Sequence, residues 1–137
     1  MRSLGVDLGG KRTGLAISDP TGTIAFPLDT IVCQDRQVLL EKIARIAIQY
    51  QVKYVVVGVP YSMDGRVGEQ AQKAQNFAEK LSLRTEAEVK MWDEHLSTVV
   101  AEQLLTEAGV KDDNKKQKLD AAAAAGILQG FLDSLQP

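Results

Sequence analysis

The chain has 137 residues, 45% hydrophobic and 25% charged, a length and balance that fit one globular domain over 1–137 with a core of useful size. Its formal net charge of −2 argues against a generically basic nucleic-acid coat, although a local basic surface can coexist with an acidic site. One cysteine, Cys33, and one histidine, His95, exclude an intrachain disulfide and a Cys/His cluster for structural zinc.

Met1-Arg2-Ser3 leads straight into an apolar run, and no segment reaches the ~18 uninterrupted apolar residues of a membrane span, so an untargeted cytoplasmic protein with no membrane partner is expected. Leu4 to Leu8 and Gly14 to Ser18 flank Gly9-Gly10-Lys11-Arg12-Thr13, which spells a hairpin with a glycine-rich turn. Asp19-Pro20-Thr21-Gly22 is a second turn, and a third run goes from Thr23 into Ile31-Val32 with Pro27 marking an irregularity. The opening third thus reads as an antiparallel meander.

After Asp35, a candidate N-cap, Val38, Leu39, Ile43, Ile46 and Tyr50 recur at helical spacing. Tyr54-Val55-Val56-Val57-Gly58-Val59 is continuous and β-branched, as in a central strand covered on both faces, and its place after a helix implies a parallel crossover. Gly65 to Gly68 is a loop, and Glu69 to Leu81 is a second helix with Ala71, Ala74, Phe77, Ala78 and Leu81 on one face. Ala87 to Trp92 alternates as a fifth strand, and a third helix starts near Ser97 or Thr98 and stops at Gly109. Lys111 to Lys118 is expected to be a mobile charged connector; a last helix covers Leu119 to Leu135, its Ala121 to Ala125 run permitting close approach to a sheet. The class is α/β, a mixed five-stranded sheet flanked by helices.

Acidic residues stand out at three places in the chain. A buried carboxylate without partners costs several kcal/mol, roughly, so Asp7 in the middle of an apolar strand calls for a turn cap, a metal or a phosphate-binding turn. It shares a strand face with Gly5 and Gly9, whose missing side chains would leave open space beside it. Asp120 falls in line with Ala124, Ile127 and Phe131, continuing a core-facing stripe; it could serve the helix dipole or a ligand. Asp93 and Glu94 end the fifth strand, where open α/β sheets commonly place their functional crevice, and alternation lets only one of the two face it. Three carboxylates from separate elements would bind Mg²⁺ or Mn²⁺. Two such ions roughly 4 Å apart suit phosphodiester hydrolysis without a side-chain nucleophile.

Gly5-Val6-Asp7-Leu8-Gly9 with Lys11-Arg12-Thr13-Gly14-Leu15-Ala16, Gly58-Val59-Pro60 with Met63-Asp64-Gly65, Trp92-Asp93-Glu94-His95-Leu96-Ser97-Thr98, and Lys118-Leu119-Asp120 with Ala122-Ala123 and Ile127-Leu128 together resemble the YqgF/RuvX family. The resemblance runs in order through nearly the whole chain. It implies an RNase H-like fold, metal-dependent nuclease activity on the 5′ end of pre-16S rRNA in association with pre-ribosomal particles, and the acidic set Asp7, Glu94 and Asp120, with Asp93 as a substitute ligand. Holliday junction resolution on branched DNA is the alternative. His95 stands where relatives often carry Arg, and Ser62 where they often carry Asn; histidine is only partly protonated near neutrality, which weakens a phosphate grip there.

Lys11 and Arg12 on the hairpin, Arg66, and the cluster Lys115, Lys116 and Lys118 could flank the same crevice and contact backbone phosphates without reading sequence. Two other readings compete. The stretch DLGGKRTG also resembles the first phosphate loop of the actin and sugar-kinase superfamily, but 137 residues leave no room for the second domain that clamps a nucleotide there. The other is a non-catalytic nucleic-acid-binding module of the same fold.

Overall fold

The computed structural model describes residues 1–61, 66–93 and 112–136, and of 112–118 the backbone alone. Its strands are β1 (Ser3–Asp7), β2 (Arg12–Ser18), β3 (Ala25–Val32), β4 (Tyr54–Val59) and β5 (Glu88–Asp93); its helices are α1 (Arg36–Gln49), α2 (Glu69–Ser82) and α3 (Asp112–Ser134). The strands form one sheet in the order β3-β2-β1-β4-β5. The first three make the antiparallel meander, whereas β4 and β5 join β1 in parallel.

Local chemistry explains the elements. Asp35 caps α1, its Oδ1 accepting from Gln37 N at 2.9 Å and Val38 N at 3.1 Å. In β3 the register slips opposite Leu15 and Ala16, which pair with Asp29 and Pro27, so the proline sits at a bulge on an edge strand where its missing N–H breaks no ladder. The Asp19 turn closes around its own carboxylate, which accepts from Thr23 N at 2.8 Å, Ile24 N at 2.9 Å and the Thr21 hydroxyl. Gly22 there has a φ of 72°, a conformation that favours glycine.

Alternation splits the sheet into two faces. Leu4, Val6, Leu15, Val55 and Val57 pack with Leu39, Leu40 and Ile43 of α1 and Phe77 and Leu81 of α2. Ala16 and Val56 pack on the other face with Ala124, Ile127, Leu128 and Phe131 of α3. Val59 meets Ala71 and Ala74 of α2. All five expected core positions of α2 are buried; in α1 the stripe turns slightly, burying Leu39, Leu40, Ile43, Ala44 and Ala47 and leaving Val38 exposed.

Two expectations are corrected. Residues 112–118 belong to α3 and do not form a connector ahead of it. Acidic residues at a helix start favour its dipole, and Lys and Gln are good helix formers, so the charged run extends the alanine-rich segment. The glycines beside Asp7 also do not leave open space. A Cβ on Gly5 would lie 2.8 Å from the Ala124 carbonyl oxygen and 2.9 Å from Leu128 Cβ, so its bareness lets α3 lie directly on the sheet. The expected helix between Ser97 and Gly109, and the Met63-Asp64-Gly65 turn with Ser62, lie outside the described residues.

Candidate active site

Asp7 ends β1 and is half-buried. Its partner across the antiparallel ladder is Gly14, and directly paired residues share a face with Cβ positions about 5 Å apart. A Cβ on Gly14 would overlap the carbonyl oxygen of Asp120, so the backbone of α3 touches the sheet at this point. Gly14, on β2, therefore pairs with the end of the first strand and touches the last helix. Asp7 and Asp120 both stand beside it, on the sheet face that α3 covers. Below Asp120, Ala124, Ile127 and Phe131 are buried along the expected stripe.

Arg12 adds a positive charge. Its Nε donates to Asp120 Oδ2 at 2.8 Å, with the two side chains 38% and 22% exposed. The sequence marked Arg12 as a phosphate contact and gave no sign of this pairing, because ion pairs across 108 residues leave no local pattern. Gly14 was legible in principle: a glycine within an apolar strand marks a close backbone approach.

Asp93 is placed differently. It pairs with Val59, whose side chain packs against α2, so alternation puts it on the face opposite Asp7. Trp92, one residue earlier, belongs to the α3 face, its ring meeting Phe131 edge-on at 6.0 Å. Glu94 and His95 lie outside the described residues.

Among the basic positions, Lys11 is exposed in the β1–β2 turn beside Asp7, and Arg66 is exposed in the segment that follows the carboxyl end of β4. Lys115, Lys116 and Lys118 precede Asp120 on α3, with side chains outside the described residues. Among the described residues, no three His, Cys, Asp or Glu side chains form a cluster able to hold a metal. The two carboxylates at Gly14 are hard oxygen donors on separate rigid elements, which fits two positions of a Mg²⁺ or Mn²⁺ site.

The sheet, with its antiparallel meander followed by parallel crossovers and a last helix whose Asp120 carboxylate meets Arg12 of the second strand, is of the RNase H-like class. It is similar to that of Thermus thermophilus RuvC in complex with Holliday junction substrate, with a TM-score of 0.64 and 14% identity over 98% of this chain and 95% of that one. It is also similar to fowlpox virus resolvase in complex with Holliday junction DNA, with a TM-score of 0.61 and 17% identity over 100% of both chains. The family model RuvX, described as Holliday junction resolvase, matches residues 1–134, and the chain belongs to this family. A relative from Desulforamulus reducens, named as a proposed pre-16S rRNA nuclease, is 42% identical over 134 residues, 98% of each chain. One of the same name from Bacillus thuringiensis is 45% identical over 136 residues, 98% of this chain and 99% of the relative.

Proposed function

We propose that the protein is a divalent-metal-dependent nuclease that hydrolyses phosphodiester bonds at the 5′ end of pre-16S rRNA in the cytoplasm. The observation that carries this reading is the convergence of Asp7 and Asp120 at Gly14, within a family whose relatives bear that nuclease name. No described helix is long and apolar enough to cross a membrane.

Asp7, Asp120 and Glu94 would hold Mg²⁺ or Mn²⁺. Glu94 is preferred to Asp93 because alternation along β5 puts Asp93 on the face opposite Asp7. When bound, such ions activate a water and stabilise the departing oxygen. The chain's own groups do the rest: Asp7 and Asp120 are fixed by a strand and a helix in contact, and Arg12 balances the Asp120 charge until a phosphate arrives. Lys11, Arg66 and the Lys115, Lys116, Lys118 series attract the backbone.

The family description favours a second reading, resolution of four-way DNA junctions. One experiment separates the two: purified protein acting on precursor rRNA and on a four-way junction, each with and without Mg²⁺ or Mn²⁺. Metal-dependent cleavage of the rRNA alone supports our reading, and cleavage of the junction alone supports the second. Asp7→Asn should lower cleavage more than about 100-fold, beyond the cost of losing an outer partner of a metal ligand, with the fold retained by circular dichroism. Unchanged cleavage by this variant would refute the site.

A further inference from the structure

We infer that the groove between α1 and α2 is a second, anion-binding site that takes a phosphate group, on the sheet face opposite Asp7. A cavity of about 280 Å³ there is lined by Arg36, Leu40, Lys73, Asn76, Phe77 and Lys80. Leu40 and Phe77 are buried members of the core, 1% and 4% exposed, and give the groove an apolar base. The polar lining groups all offer donors: one guanidinium, two ammonium groups and an amide. Asn76 Oδ1 accepts from Gln72 Nε2 at 3.0 Å, which leaves the nitrogen of Asn76 as its donor end. Among the described residues no carboxylate lines the cavity, and Lys73 meets only the exposed Glu69 at 3.4 Å, a solvent-screened pair.

Arg36 supplies an independent observation. Its Nη1 is buried and makes no hydrogen bond among the described residues. A guanidinium nitrogen withdrawn from water without an acceptor is unfavourable, and a turn of the Arg36 side chain into the cavity would give it a phosphate oxygen in a charge-assisted, often bidentate geometry. Buried donor, surrounding ammonium groups and absent carboxylate select an anion, and the cavity falls below the range of drug-sized pockets, roughly 300–1,000 Å³.

The fold also indicates whose phosphate it takes. The β3 strand ends at Val32, paired with Arg12, and α1 begins at Arg36, so Arg36 stands at the same end of the sheet as the Arg12–Asp120 pair. A strand of nucleic acid crossing that end could lay one phosphate near the carboxylates and another in the groove. This choice of source rests on the proposed nuclease function; the anion site itself does not.

The test follows the side-chain resonances of Arg36 Nε–H and the Asn76 amide in the full chain with EDTA present, so that neither metal nor cleavage contributes. Inorganic phosphate should shift both saturably, with affinity about tenfold weaker in Arg36→Gln and in the exposed variant Lys80→Gln. A short RNA hairpin should then displace the phosphate, and Lys80→Gln should reduce the salt dependence of RNA binding by about 0.7–0.9 per lost contact. Phosphate shifts that RNA leaves unchanged would keep the site and overturn the backbone as its source. No shift with either probe would overturn the site, whatever the outcome of the cleavage assays.

Discussion

Arg12 Nε lies 2.8 Å from Asp120 Oδ2, tying the start of the second strand to the last helix across 108 residues of sequence. Both side chains are partly exposed, so the pair should contribute less than about 1 kcal/mol to stability. Its larger effect is on charge at the candidate metal position. Arg12→Ala removes a cation that competes with the metal for Asp120, so calorimetry should give Mn²⁺ binding to the free protein tighter by up to about tenfold, while nucleic-acid binding loses about 0.7–0.9 in salt slope. Weaker Mn²⁺ binding would instead mean that Arg12 orients Asp120 for the ion.

The contact at Gly14 sets a second expectation. A methyl group there would run into the Asp120 carbonyl, which belongs to helix backbone and cannot rotate away. Gly14→Ala should cost about 3 kcal/mol or more, at or beyond the upper end of ordinary overpacking, and should lower cleavage by displacing Asp120. Gly10, in the adjacent turn, has nothing within 4 Å of its would-be Cβ, and Gly10→Ala should stay within about 0.5 kcal/mol of the parent. Urea denaturation of the two variants checks the contrast.

Those glycines also show how much of the molecule could be read from the sequence. Periodicity gave the strands, both described crossover helices and the inward stripe of α3, because hydrophobic spacing is a local record of which face is buried. The inward placement of Asp120 followed from its register with Ala124 and Ile127. What Gly5 and Gly14 are for did not follow: an absent side chain can mean empty space or close approach, and only the path of α3 decides between them. The Arg12–Asp120 pair and the buried Arg36 nitrogen escaped for the same reason, being properties of partners distant in sequence. The helical 112–118 run escaped because its charge dominated its helix propensity.

Ser18 is a polar residue 2% exposed, and its hydroxyl completes the start of β1. Ser18 Oγ accepts from Ser3 N at 2.8 Å and donates to the Asp19 carbonyl at 3.1 Å. Ser18→Ala leaves the Ser3 N–H buried without an acceptor and should cost about 1–3 kcal/mol. Ser18→Thr, which retains the hydroxyl, should recover part of that loss. Thermal denaturation of both variants tests the assignment, and equal losses would show that packing, not the hydrogen bond, is the cause.

Asp19 makes the pH expectation. Hydrogen bonds from the Ile24 backbone, the Thr21 hydroxyl and the Thr23 backbone hold its carboxyl well below the ordinary carboxylate value of 3.8. A folded-state pKa below the unfolded one means that the carboxylate's stabilising contribution is fully present above the unfolded value and is lost as pH falls through the folded one. The turn between β2 and β3 should therefore keep its native amide shifts at Thr23 and Ile24 at pH 4, and begin to lose them only in more acidic solution. Carbon-detected titration of the Asp19 carboxyl should find it still ionised where ordinary aspartates are half protonated. A midpoint at the ordinary value would mean that the turn's hydrogen bonds do not persist in solution, and Asp19→Asn, which lacks the charge, should then match the parent in stability at pH 7.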